Sequence, residues 1–363
     1  MKKFFLFFIA AALVCAFAMP AAAMEEKTSE ELIKSLMKGV GGWTLYGSAR
    51  MSTWFQDDGT DDDVRWDLQG NSRLGARVSH GNWGGRFEFA VDDDTEGVTT
   101  RLLYGTYKLG GGTLTIGHSY TPVSQYFYSN QVRGKKKGGW DDEDLLHTGQ
   151  QYASRDEMIQ FQTGAFRIAL VEPNTDDFGL EDADVDTVAP AVEFSYNFKA
   201  KAFFVDLSAG YQTYDVNNEG VDAYVGAVGV GFNAGPARLR FNVYGAQNGG
   251  QYGLFNYLDN DASWSGTGSV VDNDSQGALV VANFRANDML SFELGAGYTK
   301  VERDADPEVP GDKALEDEAL DYYANAVIRL IRNVFIVPEI GFTDIDSADD
   351  DEFHVGAKWQ INW

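Results

Sequence analysis

From Val64 to Ser79 the chain alternates without a break. Odd positions carry Arg65, Asp67, Gln69, Asn71, Arg73, Gly75, Arg77 and Ser79. Even positions carry Val64, Trp66, Leu68, Gly70, Ser72, Leu74, Ala76 and Val78. A period of two held this long predicts an extended strand with one polar and one mostly apolar face. The same alternation returns at the end of the chain. There Phe353, Val355, Ala357, Trp359, Ile361 and Trp363 oppose His354, Gly356, Lys358, Gln360 and Asn362. Stretches 192–198, 238–244 and 290–299 repeat it.

Residues 1–23 read differently. Lys2 and Lys3 precede an apolar run from Phe4 to Met19, and Ala21, Ala22 and Ala23 supply small residues for cleavage. That arrangement is a secretory signal peptide. Beyond it no stretch approaches the roughly 20 apolar residues of a membrane helix. A chain of this kind is either a soluble β protein or a barrel that crosses a membrane with strands. Cleavage after Ala23 removes Cys15, the one cysteine, which excludes a disulfide scaffold, a thiolate nucleophile and a Cys-bound zinc. It leaves a net charge of −28, and so acidic a chain is a poor nucleic-acid binder.

Sixteen strand candidates follow, near 43–55, 64–79, 84–92, 98–110, 112–119, 156–164, 165–172, 187–198, 202–213, 221–233, 236–248, 274–287, 289–302, 319–331, 333–344 and 352–363. Their connections come in two kinds that alternate. One set is short, as at Lys199-Ala200-Lys201, Asn287-Asp288 and Arg332-Asn333. The other is longer and acidic: 56–63, 92–97, 173–186, 214–220, 249–273, 303–318 and 345–351 together carry −29. Short turns at one end and long loops at the other are the pattern of a transmembrane barrel, which in bacteria has an even strand number. The fold class expected is therefore all-β, a transmembrane antiparallel β-barrel of 16 strands occupying 43–363. The segment 24–42 is expected on the periplasmic side with a short helix, on the capping-box spacing of Thr28 with Glu31.

Two features bear chemistry. Arg50, Arg65, Arg73, Arg77, Arg86 and Arg101 all fall on the polar parity of the first four strands. On a lipid face each would cost about 2–4 kcal/mol near the midplane, so they are expected to face water or an inserted segment. The segment 120–156 is far longer than an ordinary connection and is expected to be functional. It holds a basic block, Lys135, Lys136 and Lys137, followed by an acidic one, Asp141, Asp142, Glu143 and Asp144. Folded into the barrel, it would set both signs of charge across a narrow opening.

Short motifs also look familiar. Leu45-Tyr46-Gly47, Ser72-Arg73-Leu74-Gly75, Thr100-Arg101-Leu102, Ile116 to Pro122 and the terminal Trp363 together resemble the sixteen-stranded general porins of Gram-negative outer membranes. The resemblance implies that Arg73 and Arg101 belong to a basic cluster on the pore wall and that 120–156 is the inserted loop. It implies a terminal assembly signal, here Phe353, Trp359, Ile361 and Trp363, read by the barrel assembly machinery. It implies a homotrimer in contact with membrane lipid and lipopolysaccharide. Gly47, Ala49, Gly70, Ser72 and Ala76 on the outward parity suit close packing there. The family usually has Arg where this chain has His118.

The expected function is passive diffusion of small hydrophilic solutes and ions, with Arg50, Arg73, Arg77, Arg101, Lys135 to Lys137 and Asp141 to Asp144 at the constriction. No cofactor, metal or catalytic set is expected, since the four histidines accompany no HExxH, phosphate loop or serine elbow. Two alternatives stay open. One is a substrate-selective channel, for phosphate or another anion, with Lys135 to Lys137 as a ladder. The other is a structural or adhesive barrel whose acidic loops bind cations.

Overall fold

The computed structural model describes residues 42–57, 62–92, 97–124, 127–136, 139–141, 148–153, 155–187, 189–252, 254, 258–266, 268–306, 309, 312–347 and 351–363. Residues 44–363 form one unit. Its sixteen barrel strands are β1 (Thr44–Asp57), β2 in two stretches (Asp62–Leu68 and Arg73–His80), β3 (Trp83–Asp92), β4 (Gly97–Leu109), β5 (Gly112–Tyr120), β6 (Arg155–Thr163), β7 (Phe166–Val171) and β8 (Ala191–Lys199). They continue with β9 (Phe203–Val216), β10 (Glu219–Ala234), β11 (Ala237–Gln247), β12 (Asn273–Arg285), β13 (Leu290–Arg303), β14 (Leu315–Ile331), β15 (Val334–Ile345) and β16 (Glu352–Asn362).

Each strand pairs antiparallel with its neighbours in the chain, and β16 pairs with β1. The ring is closed, so no strand edge is left unpaired. At the seam Gly47 N donates to Trp363 O at 3.0 Å and Trp363 N returns a bond to Gly47 O at 3.1 Å. A side chain at residue 47 would collide with the Trp363 indole, so glycine is what lets the last residue lie flat on the first strand.

The alternation decides the faces. Phe194, Leu207, Val228, Val243, Phe292 and Trp359 are exposed on an outward apolar surface, while their alternates Ser195, Ser208, Asn242, Glu293 and Lys358 are buried inside. An outward apolar band and a polar interior are what lipid outside and water inside require. Apart from the turn at 217–218, the short turns gather at one end, the periplasmic end of a barrel of this kind.

Three details differ from the sequence expectation. The strand over 64–79 is interrupted at 69–72, where two residues of β1 face four of β2. The Ser72 hydroxyl fills the gap, accepting from Arg50 N at 3.0 Å and donating to Arg50 O at 2.9 Å. The loop expected at 214–220 is only a two-residue hairpin turn. Asn217 and Asn218 both have positive φ, 52° and 70°, the backbone that a tight hairpin demands and asparagine tolerates. Two of the small residues expected to pack against another protomer, Gly47 and Ser72, are occupied within the chain by the Trp363 ring and the Arg50 backbone. The expected helix in 24–42 lies outside the described residues.

Candidate functional site

A buried carboxylate organises the arginines of the first four strands. Glu88 on β3 is 1% exposed and accepts from Arg86 Nη2 at 2.8 Å and Arg101 Nε at 3.1 Å, with Arg73 Nη1 at 3.4 Å. Tyr46 OH donates to Glu88 Oε2, the oxygen that Arg86 also reaches, at 2.8 Å and accepts from Arg86 Nε at 2.7 Å. The reach of Tyr46 depends on Gly75, which stands between Tyr46 and Glu88 in the register. A Cβ at Gly75 would come within 2.5 Å of the Tyr46 hydroxyl, so the glycine is the gap through which the phenol passes.

Arg101 enters the cluster through a bulge. The β3–β4 register shifts between Glu88 and Phe89, so that Arg101 has no direct partner and both Arg101 and Leu102 are buried. A one-residue bulge re-aims a side chain in this way. Three guanidiniums around one carboxylate leave a positive surplus on this wall. Arg50 lies beside it, its Nε donating to Ser48 Oγ at 3.0 Å. Arg77 is exposed and stands opposite Arg86 in the register.

The opposite wall is acidic and is covered by the inserted segment. Val123 N donates to Glu193 Oε2 of β8 at 2.9 Å, and Tyr128 OH to Asp206 Oδ2 of β9 at 3.1 Å. Asn130 N and Nδ2 donate to the two oxygens of Glu293 on β13 at 2.6 and 2.8 Å. Gln131 Nε2 donates to Asp321 of β14 at 3.0 Å. Val132 N and Arg133 N both donate to Glu339 of β15, each at 2.8 Å in its shortest contact. The returning arm is held by Gly149 N to Thr299 Oγ1 at 2.7 Å and by Gln151 N to Asn242 Oδ1 at 3.2 Å. Gly149 has φ 77° and lies so close to β12 that a Cβ would meet the Ala278 carbonyl at 2.1 Å.

Buried backbone amides need acceptors, and a loop crossing a barrel has no ladder to supply them. The row of inward carboxylates does so. Their charge also strengthens each bond relative to a neutral acceptor. Behind the loop, Val123, Ala153, Tyr244, Tyr252 and Leu254 pack with small residues of β10 and β11. Burial and the neighbouring Glu193 carboxylate push the Tyr252 hydroxyl well above the usual phenol range, which keeps it neutral there.

From the loop, Arg133 reaches back to the first strands. Its guanidinium lies 5.7 Å over the Trp54 ring, hydrogen-bonds Gln56 and stands 3.9 Å from Asp67. Arg155 donates to the hydroxyls of Tyr120 and Tyr152 at 3.2 and 3.3 Å, and Arg101 shares Tyr120 at 3.4 Å. The lumen thus runs between a basic wall on β1–β4 and a loop fastened to β8–β15.

The other expected site residues fall as follows. Lys135 and Lys136 lie in a short ladder, Gly134–Lys136 paired with Gly139–Asp141, whose side chains are not described. Lys137, Asp142, Glu143 and Asp144 lie outside the described residues. His118 is not part of the basic wall: it pairs with Glu157 at 3.3 Å and stands opposite Leu103, an exposed apolar residue. Glu88, Glu293 and Glu339 were missed by the sequence reading. Glu88 was reachable, because it shares the parity of Arg86 on β3. The loop anchors were not, because their partners are backbone amides.

A closed barrel with an inward-fastened loop and charged walls defines the class of outer-membrane channels. The sequence comparison narrows it: the profile of the Gram-negative porins matches residues 10–362, and the chain belongs to that family. It acts as a channel of the outer membrane. No curated protein matches the sequence. Among solved structures the chain is similar to the outer membrane channel DcaP of Acinetobacter baumannii, at TM-score 0.66 and 14% identity over 88% of this chain and 97% of that one. It is also similar to an anion-selective porin from Comamonas acidovorans, at TM-score 0.59 and 14% identity over 89% and 99%. A trimer form of OmpT from Vibrio cholerae matches at TM-score 0.54 and 14% identity over 89% and 99%.

Proposed function

We propose that this porin is a passive pore for small hydrophilic solutes and ions, working as a homotrimer. The observation that carries this is the fastening of Val123, Asn130 and Val132 to Glu193, Glu293 and Glu339, and of Gly149 and Gln151 to Thr299 and Asn242, which supports a loop that narrows the lumen without filling it. The surplus of Arg73, Arg86 and Arg101 over Glu88 then sets the charge preference of one wall. Asp141, Asp142, Glu143 and Asp144 are proposed to face it, and Lys135 to Lys137 to border the same opening. Phe353, Trp359, Ile361 and Trp363, an outward row ending on the seam, are proposed as the signal for the assembly machinery. The trimer form of the similar OmpT structure supports the oligomer.

Purified protein in a planar bilayer tests the reading. Discrete conductance steps that grow with salt without saturating are expected, and a silent bilayer refutes it. Under a KCl gradient, replacing Arg73 and Arg101 with Ser should move the reversal potential toward cation preference. An unchanged potential would remove this wall from the selectivity of the pore.

A further inference from the structure

The inner wall holds a second basic cluster, remote from Glu88. A cavity of about 490 Å³ is lined by Arg238 and Arg240 of β11, Arg285 of β12 and Lys358 of β16, with Asn130 of the inserted loop. Gly235 and Pro236, in the turn before β11, also line it, which places the cavity at the periplasmic end. Among the described residues its lining contains four cations and no carboxylate.

Arg238 stands opposite Asn283 in the β11–β12 register, and Arg285 follows two residues later on the same face. The two guanidiniums are therefore diagonal cross-strand neighbours, a spacing at which like charges repel. Arg240 is committed elsewhere, donating to the Tyr128 carbonyl at 2.8 Å. Among the described residues neither Arg238 nor Arg285 forms an ion pair. Contrast the first wall, where Arg73, Arg86 and Arg101 share Glu88. There the chain supplies the anion; for Arg238 and Arg285 none of the described residues does.

We infer that this periplasmic cavity is a binding site for a small solute bearing two negatively charged oxygen groups, the chemistry shared by dicarboxylates and phosphate. The guanidinium fork matches such groups bidentately. The volume lies within the range of small-ligand sites. Asn130 and Asn283 at the cavity wall turn their amides to Glu293 behind it, which leaves Arg238 and Arg285 as the groups offered to the solute. Such a site gives an anion a resting place just past the loop and offsets the acidic field it crosses at the outer mouth. This inference rests on the reading of the chain as an open pore.

The test is block of single-channel current by succinate or inorganic phosphate added to the periplasmic side, with acetate and glucose as controls. Arg238→Ser/Arg285→Ser is the variant of choice, because Arg240 also holds the loop. Wild type should show concentration-dependent block by succinate, by phosphate or by both, weaker at high salt as screening shortens the field. Loss of two charge-assisted contacts should raise the half-blocking concentration about a hundredfold in the variant. Block by succinate alone assigns the site to dicarboxylates, and block by phosphate alone assigns it to phosphate. Normal conductance steps with no block, or equal block in variant and wild type, overturn the site and leave the pore standing. Absence of steps refutes the pore reading instead.

Discussion

The two walls of this barrel handle buried charge in opposite ways. On β1–β4 the guanidiniums of Arg73, Arg86 and Arg101 are matched by a carboxylate of the same wall, Glu88. On β8–β15 the carboxylates of Glu193, Glu293 and Glu339 are matched by backbone amides of the inserted segment. The first arrangement is a sheet property and survives whatever the loop does. The second exists only while the loop is in place. A wall that holds its own counter-ion is free to face solute with its remaining positive charge, whereas a wall that needs a partner is thereby covered.

Removing Glu88 probes the first arrangement and should have the largest effect. Glu88→Ala strands three guanidiniums without their anion, and breaking a buried pair costs about 3–5 kcal/mol. The urea midpoint of the folded barrel should fall accordingly, and the reversal potential should move toward anions. A midpoint equal to wild type would mean the three arginines are solvated independently. Glu339→Ala probes the second arrangement. It deprives Val132 N and Arg133 N of their acceptor, at about 2–4 kcal/mol for two buried amides. Larger and noisier conductance steps are expected alongside the stability loss. If steps keep their size and noise, the carboxylate row does not hold the loop.

The smallest change sharpens the first arrangement. Gly75→Ala places a Cβ against the Tyr46 hydroxyl and the Phe87 carbonyl, which costs about 1–3 kcal/mol as overpacking. In a Tyr46→Phe background, which lacks the phenolic oxygen, the same substitution should cost less. Equal penalties in both backgrounds would show that Gly75 serves the backbone contact alone.

Most of the barrel was legible because side-chain parity is local. Even the interruption at 69–72 left the reading in phase, since two extra residues shift a period-two pattern by a whole repeat. The single extra residue at Arg101 does not, and the sequence offers no sign that Arg101 and Leu102 share a side. The arginine wall was legible as a polar stripe, but its centre was not. Tyr46, Gly75 and Glu88 come together only through the registers of three strands, which pattern alone leaves open. The loop anchors were the least visible. A carboxylate that accepts from a backbone amide looks, in sequence, like any other inward polar residue.

The seam at Gly47 and Trp363 has a consequence for the order of events. Every other strand pairing joins segments that are neighbours along the chain, and a nascent polypeptide can make those contacts as it lengthens. This one joins its two extremities, so it carries nearly the whole chain as a closed loop and is the contact of highest contact order. The ring therefore stays an open ribbon, with two adhesive borders, until β16 reaches β1. For that whole interval both borders expose a row of unpaired backbone groups, a template on which another chain could pair.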